Sequence, residues 1–334
     1  MMASTRNCPF PTEIRKMTEI VVNPAGASGR TLKVWKKIEP VFQKSGKEYH
    51  VHFSTLECGV TEIVKKLTSD HQDRDIVIVG GDGTMNQAVN GICDFQHTRV
   101  GFISCGSGND LARGLKLPKD PETNVHTILE GNTVRMTDVG ETVYLNRINE
   151  LTKEKASEDG YVHRKFNISS GIGFDAAICQ KAQIAPAKKT LNRIHLGKLI
   201  YLGVAIEIIA TTKRTEAWIS VDGKTEKYDQ LLFTVAMNEP YEGGGFQFCP
   251  HADDHDGELD LCIGDKISKF DFYRIFPYAY KGNHLKFKGV YEKRGHAIEI
   301  RTAEPKWVHT DGEVTCMSSH IRIGVLPEKM KMLN

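Results

Sequence analysis

This chain has no long apolar run. Its longest, Leu199 to Ile206, falls far short of what a membrane-crossing helix needs. Cysteines at metal or disulfide spacing are also missing: eight lie scattered at 8, 58, 93, 105, 179, 249, 262 and 316, with no Cys-x-x-Cys among them. That argues against a zinc knuckle or a disulfide framework and for reduced thiols. Net charge is only +2, so nucleic acid has no global attraction, and any pull toward an anionic surface must be local. Met1 to Met17, with Arg6, Pro9, Pro11, Glu13 and Arg15, lacks the apolar core of a secretory signal. Neither an internal repeat nor a low-complexity tract is visible. The expectation is a cytoplasmic protein whose membrane contact is peripheral. What the chain does have, 40% apolar and 26% charged residues over 334 positions, is enough for two domains with proper cores.

Up to about Arg135, strands and helices alternate. Glu19–Asn23, Tyr49–Phe53, Ile76–Val79 and Arg99–Ile103 read as strands, with helical spacing through Trp35 and Ile38 and from Val60 to Leu67. That rhythm predicts βαβ units in a parallel sheet covered on both faces, with ligand loops beyond the carboxyl ends of the strands. Later strand-like runs at Phe166–Ile168, Ala217–Ile219, Leu231–Met237, Leu259–Ile263 and Ala297–Ile300 are separated by Gly and Asp turns. They predict a mostly antiparallel second domain. Leu199–Ala210 reads as one helix interrupting it, and Asn149–Arg164 as a charged, exposed hairpin or disordered loop. The fold class is α/β, a nucleotide-binding parallel-sheet domain plus a mostly antiparallel, sandwich-like second domain.

Chemistry concentrates in four places. Ile76 to Val79 runs into Gly80-Gly81-Asp82-Gly83-Thr84, then a helix through Met85 and Asn86. Glycines let the backbone approach a ligand, and free amides at the helix start favour a phosphate. Asp82 stands where it could orient magnesium or water beside it. The second loop, Cys105-Gly106-Ser107-Gly108-Asn109-Asp110, repeats the design, although Asn109 and Asp110 also suit plain helix caps. Cys249 to Glu258 gathers Asp253, Asp254, His255, Asp256 and Glu258, fitting an oxygen-bound cation or a solvated acidic turn. Asp311-Gly312-Glu313 offers a positioned base or a hairpin turn.

Taken in order, Asn23-Pro24 with Gly29, Gly80 to Thr84, Gly106 to Asp110, Asp256-Gly257 and Asp311-Gly312-Glu313 resemble the diacylglycerol-kinase-type lipid kinases. The likeness is to their soluble bacterial branch, related to sphingosine and ceramide kinases, and runs from Glu19 to the end. It implies an ATP-binding α/β domain at 19–137 after an extension at 1–18, and a β-rich lipid-substrate domain at 138–318. The last strand, near Ile321–Val325 within a return at about 319–334, is expected to rejoin the first domain. By this resemblance Asn23, Thr55, Gly80, Gly81, Asp82, Gly83, Thr84, Asn86 and Ser107 contact ATP. A catalytic Mg2+ lies near Asp82 and Asp110, and Asp253, Asp256 and the Glu258 carbonyl hold a structural one. Asp311 accepts the proton as the γ-phosphate moves to a lipid hydroxyl, with diacylglycerol as the default acceptor.

Ser104 stands where the family usually has Pro, Ser107 where it has Thr, and Asn149–Arg164 looks longer than usual. Lys188–Leu202 mixes basic and apolar residues and is expected either to touch an anionic membrane or to pack as an amphipathic helix. A sheet edge in the second domain could pair into a homodimer. Two other functions stay open: an NAD kinase, which shares Gly-Gly-Asp-Gly-Thr, and a non-catalytic, nucleotide-gated lipid-binding protein.

Overall fold

A computed structural model describes residues 17–106, 108–184, 207–209 and 211–334. Ser107 and Lys188–Leu202 therefore lie outside the described residues, as do positions 1–16. The first sheet contains β1 (Thr18–Val22), β2 (Tyr49–Phe53), β3 (Arg74–Gly80), β4 (Thr98–Ser104), β5 (Val134–Thr137) and β15 (Met330–Leu333). Its order is β2-β1-β3-β4-β15-β5, parallel except for β5.

Alternation along β3 builds both faces. Ile76 and Ile78 pack with Val64 of α2 (Val60–Thr68) and Met85 and Val89 of α3 (Asp82–Gly91). Val77 and Val79 pack with Trp35 and Ile38 of α1 (Arg30–Lys44) and with Val125 and Ile128. Burying each such side chain contributes roughly 1.5–3 kcal/mol, so the central strand and its loop are firmly placed. Two helices follow β4, the short α4 (Asp110–Gly114) and α5 (Pro121–Glu130). Asp120 caps α5 by accepting the Thr123 N–H, Pro121 opens it, and left-handed Gly131 ends it.

The second sheet is antiparallel and nine-stranded. It contains β6 (Gly140–Tyr144), β7 (Val162–Phe166), β8 (Ser169–Gly173), β9 (Thr215–Val221), β10 (Lys224–Met237), β11 (Leu259–Asp265), β12 (Val290–Gly295), β13 (Ala297–Thr310) and β14 (Glu313–Val325). β8 and β9 share one slot between the long β10 and β13. Tyr144 and Phe166 from one end of the sheet meet Leu261 and Ile263 from the other in a single core, so the sheet curls onto itself. Outside it, α6 (Phe174–Ile184) and α7 (Lys269–Ala279) bring Phe174, Phe272 and Ile275 against Val235 and Cys262.

Three expectations change. Within Phe166–Ile168, Phe166 ends β7 and Asn167 and Ile168 form the break before β8, where the chain turns to pair again. Ile321–Val325 does not rejoin the first domain: Ile321 and Ile323 point into the second core while Arg322 is exposed, as suits a one-faced sheet. Met330–Leu333, between β4 and β5, makes the return. α6 and α7 are helices the strand-rich reading did not contain.

Candidate active site

Three loops meet at the carboxyl ends of the first sheet. Asn23 donates to Thr84 Oγ1 at 3.2 Å, joining the loop after β1 to the start of α3. Arg30 Nε donates to the Cys105 carbonyl at 2.9 Å, and its Nη2 to Cys105 and Gly106, tying α1 to the loop after β4. A β-carbon on Gly81 would lie 3.3 Å from Gly106 Cα, so the two glycine loops touch. Gly80 leaves room for Thr84, whose side chain a β-carbon there would strike at 2.5 Å. The N-terminus of α3 is left facing this space, with the positive end of its dipole outward. Glu313 approaches the same end, its Oε1 lying 2.6 Å from where a Gly83 β-carbon would be.

Two carboxylates converge beside it. Asp82 Oδ2 accepts the Asp110 N–H at 3.1 Å. A β-carbon on Gly108 would be 3.2 Å from Oδ2 of both aspartates. Asp82 Oδ1 is buried and, among the described residues, has no hydrogen-bond partner. Burial, and then Asp110, push the Asp82 carboxyl up to about 7. Asp110 is held by Arg113 and, across the domain junction, by the Gly244 N–H at 2.6 Å. An orphaned oxygen beside a second carboxylate is a donor set that suits a hard divalent cation such as magnesium.

Asp311 closes the cleft from the second sheet. It sits at φ 50° in the turn between β13 and β14. Its Oδ2 accepts from Asn86 Nδ2 and the Asn167 N–H, both at 2.9 Å, and its Oδ1 from the N–H groups of Ile168 at 2.8 Å and Ser169 at 3.1 Å. Burial raises its pKa above the usual carboxylate value while these four donors pull the other way. Asn86 is the link between the domains. It also donates to the Lys165 carbonyl at 3.1 Å and accepts from Arg164 Nη2 at 2.8 Å. Arg164 reaches Thr310 Oγ1 at 3.1 Å and pairs with Glu154. The segment read as wholly exposed thus sends Glu154 and Arg164 into the cleft, because a cation there satisfies Asn86 and Thr310 together.

Residues 18–142 match the model of the diacylglycerol kinase catalytic domain, and residues 170–334 that of the YegS C-terminal NAD kinase beta sandwich-like domain. The chain belongs to the diacylglycerol-kinase-type lipid kinase family. It is 26% identical over 332 residues to a diacylglycerol kinase of Bacillus subtilis, covering 96% of this chain and 99% of that one. Against a diacylglycerol kinase of Staphylococcus carnosus identity is 24% over 302 residues, covering 90% and 89%. The crystal structure of a diacylglycerol kinase from Bacillus anthracis superposes with a TM-score of 0.65 at 20% identity, covering 97% and 98%, a likeness of fold.

Beneath the Asp311 turn, this lipid-kinase family member carries a group its sequence did not announce. His309 is fully buried, with Nε2 at 2.8 Å from Asp175 and 3.3 Å from Glu242. Gly171 makes the space, since a β-carbon there would lie 1.9 Å from the Asp175 carboxylate. Burial works against charge on the ring, but Glu242 and Asp175 outweigh it and raise the pKa to about 9. The Gly312 N–H nonetheless donates to Nδ1 at 3.1 Å, which requires an unprotonated nitrogen there and places the proton on Nε2. A lone histidine in a strand carries no sequence signal of such a role.

Two other expected groups are placed differently. Thr55 is exposed, and its hydroxyl closes its own loop by accepting from Cys58 N at 3.0 Å and Glu57 N at 3.3 Å. Of the expected magnesium set, Asp253, Asp256 and the Glu258 carbonyl, Asp256 turns its side chain to Arg294 at 3.3 Å, as does the Glu258 carboxylate at 3.8 Å. Asp253 instead clusters with Asp254 and His255, their ligand atoms within 4.8 Å of one another. The guanidinium offers the two outer carboxylates a partner that the exposed loop lacks.

Proposed function

We propose that this protein transfers the γ-phosphate of ATP to the hydroxyl of a membrane lipid, diacylglycerol in the first instance, making phosphatidic acid. One observation carries the reading. A single helix, α3, presents its N-terminus and Asp82 to the phosphate site and, one turn on, holds Asp311 through Asn86. At 1.5 Å rise per residue, that turn sets phosphate donor and proton acceptor roughly 6 Å apart along the axis. The glycine-loop amides and Thr84 would cradle ATP, and Asn86 would hold Asp311 in place until the substrate hydroxyl arrives. Magnesium held between Asp82 and Asp110 would neutralise phosphate charge.

The lipid oxygen bonds to the γ-phosphorus, the bond to the ADP oxygen breaks, and the hydroxyl proton passes to Asp311. Four N–H donors already occupy that carboxylate, so the substrate hydroxyl displaces one of them. Asn86 is the simplest to move, being the side-chain donor. Such a substrate also implies peripheral contact with an anionic membrane. Labelled-ATP phosphorylation of a lipid panel in anionic mixed micelles with magnesium tests this, using wild type and Asp311→Asn. One lipid labelled by wild type alone supports it. Labelling of NAD instead, or of nothing, overturns it.

A further inference from the structure

The membrane contact expected at Lys188–Leu202 lies outside the described residues, but a different surface has the right chemistry. Helix α7 is apolar on two sides. Its inner side buries Phe272, Ile275 and Ala279 in the second domain. Its outer side presents Phe270 at 77% exposure, Tyr273 at 44% and Tyr278 at 45%. These follow the i, i+3, i+8 spacing of one helical stripe, with exposed Arg274 and Pro277 inside it. An all-round apolar helix normally sits within a core. Here Phe270 and Tyr278 are left exposed.

The charge around that stripe is predominantly positive, with Lys266 paired to Asp229 at 2.7 Å. From Lys266 to Val290 the chain carries Lys266, Lys269, Arg274, Lys281, Lys286 and Lys288, with Asp271 as the one acid. That surplus of five exceeds the +2 of the whole protein. Cations and rings are interleaved. Lys286 Nζ lies 5.4 Å over the Tyr278 ring, Arg274 lies 5.7 Å over Phe287, and the Tyr278 and Phe287 centroids are 5.0 Å apart. Asp271 is paired with Arg274 at 3.3 Å.

The patch is also continuous with the cleft. Tyr280, just past α7, donates to the Gly244 carbonyl at 3.2 Å, and Gly244 is the residue whose N–H holds Asp110. Ring contacts of 4.9, 4.7, 5.2 and 4.7 Å run from Tyr280 through Phe246, Phe276 and Phe272 to Phe174, the neighbour of Asp175.

We propose that the outer stripe of α7, with Lys281, Lys286 and Lys288, docks the protein on an anionic bilayer. Rings sit at headgroup depth and cations on lipid phosphates, which presents the cleft to its substrate. The role assigned to this contact rests on the lipid-kinase reading. A second copy is the poorer occupant, because a two-fold contact would set this basic patch against itself.

The test is sedimentation of the full chain with sucrose-loaded vesicles of phosphatidylglycerol and phosphatidylcholine, against phosphatidylcholine alone. Wild type is compared with F270S/Y278S and K281E/K286E/K288E. Wild type should pellet with the anionic vesicles, less so at high salt, and each variant should lose about tenfold or more in vesicle affinity while melting normally. Turnover on a water-dispersed short-chain diacylglycerol should stay at the wild-type level in both. Wild type ignoring anionic vesicles, or both variants binding as it does, overturns the proposal. So does a wild-type dimer that F270S/Y278S splits without altering vesicle binding. If the vesicle results hold and no lipid is phosphorylated, the docking surface stands and the kinase reading falls.

Discussion

Asp82 and Asp311 approach the cleft from different sheets, and the protein buries the two carboxylates in opposite ways. Asp311 has four N–H donors, three of them backbone, so its oxygens are pinned. Asp82 accepts from main-chain N–H groups at the start of α4 but keeps, among the described residues, an oxygen with no hydrogen-bond partner, beside another carboxylate. Burying a charge without partners costs several kcal/mol, so a fold keeps such a group only where something else answers it. A pinned carboxylate suits a base that must not wander. An unanswered one suits a cation site. The difference between the walls separates proton transfer from phosphate handling more clearly than either motif does alone.

The largest effect should come from breaking the pinned side. Asp311→Asn removes the proton acceptor and is expected to lower turnover by about 10²–10⁴-fold, with ATP affinity kept. Its amide also points an N–H at backbone donors, so Tm should fall too. Steady-state kinetics with equilibrium ATP binding checks this. Near-normal turnover would remove Asp311 from the mechanism.

Breaking the unanswered side should act through the metal. Asp82→Asn is expected to raise the magnesium needed for half-maximal activity by about 10–100-fold, whereas the magnesium dependence of any residual Asp311→Asn activity stays as in wild type. A magnesium titration of both variants checks the contrast. Equal shifts in the two would erase the distinction between the walls.

The unanswered wall was legible in the sequence and the pinned one only in part. Ile76–Val79 is apolar at every position and ends in Gly80-Gly81, so both a doubly buried strand and its ligand loop follow from local pattern. The Asn86–Asp311 contact joins residues 225 positions apart, and no spacing rule reaches that far. Local pattern left Asp311 as either a base or a hairpin turn, and the family resemblance favoured the base. Arg164 was hidden inside a charged stretch that local rules read as solvated. α7 was hidden for another reason: aromatics on both its faces, with Pro277 near its end, erase the contrast that marks an amphipathic helix. The returning strand was missed because Met-Lys-Met-Leu is short, while Ile321–Val325 shows the stronger alternation.

Arg164 sharpens the comparison from the pinned side. Its guanidinium orients Asn86 and Thr310 without touching Asp311. Hydrogen bonds to a charged group contribute roughly 1.5–3 kcal/mol, so Arg164→Ala should lower turnover by about tenfold. Arg164→Lys should recover little of it, since an ammonium lacks the fork that spans both partners. Full rescue by lysine would mean that bare positive charge, not orientation, is what the cleft needs.

The smallest effect concerns a buried carboxyl that is also short of partners yet is answered by a proton. Burial, and then Asp254, push Glu239 up to about 9, and among the described residues its Oε1 has no hydrogen-bond partner. Arg135 already pairs with Asp254. The folded pKa lies above the ordinary 4.5, so the protonated form is favoured by folding. Its contribution to stability is complete below that ordinary value and is lost as pH rises toward 9. Glu239→Gln keeps a neutral side chain throughout. The Tm of wild type minus that of Glu239→Gln should therefore fall between pH 5 and 9, by about 2–4 °C for each kcal/mol lost. Magnesium should leave this difference unchanged while raising the Tm of wild type relative to Asp82→Asn at pH 8. A magnesium response at Glu239 would mean that an orphaned buried oxygen does not by itself tell a cation site from a proton site.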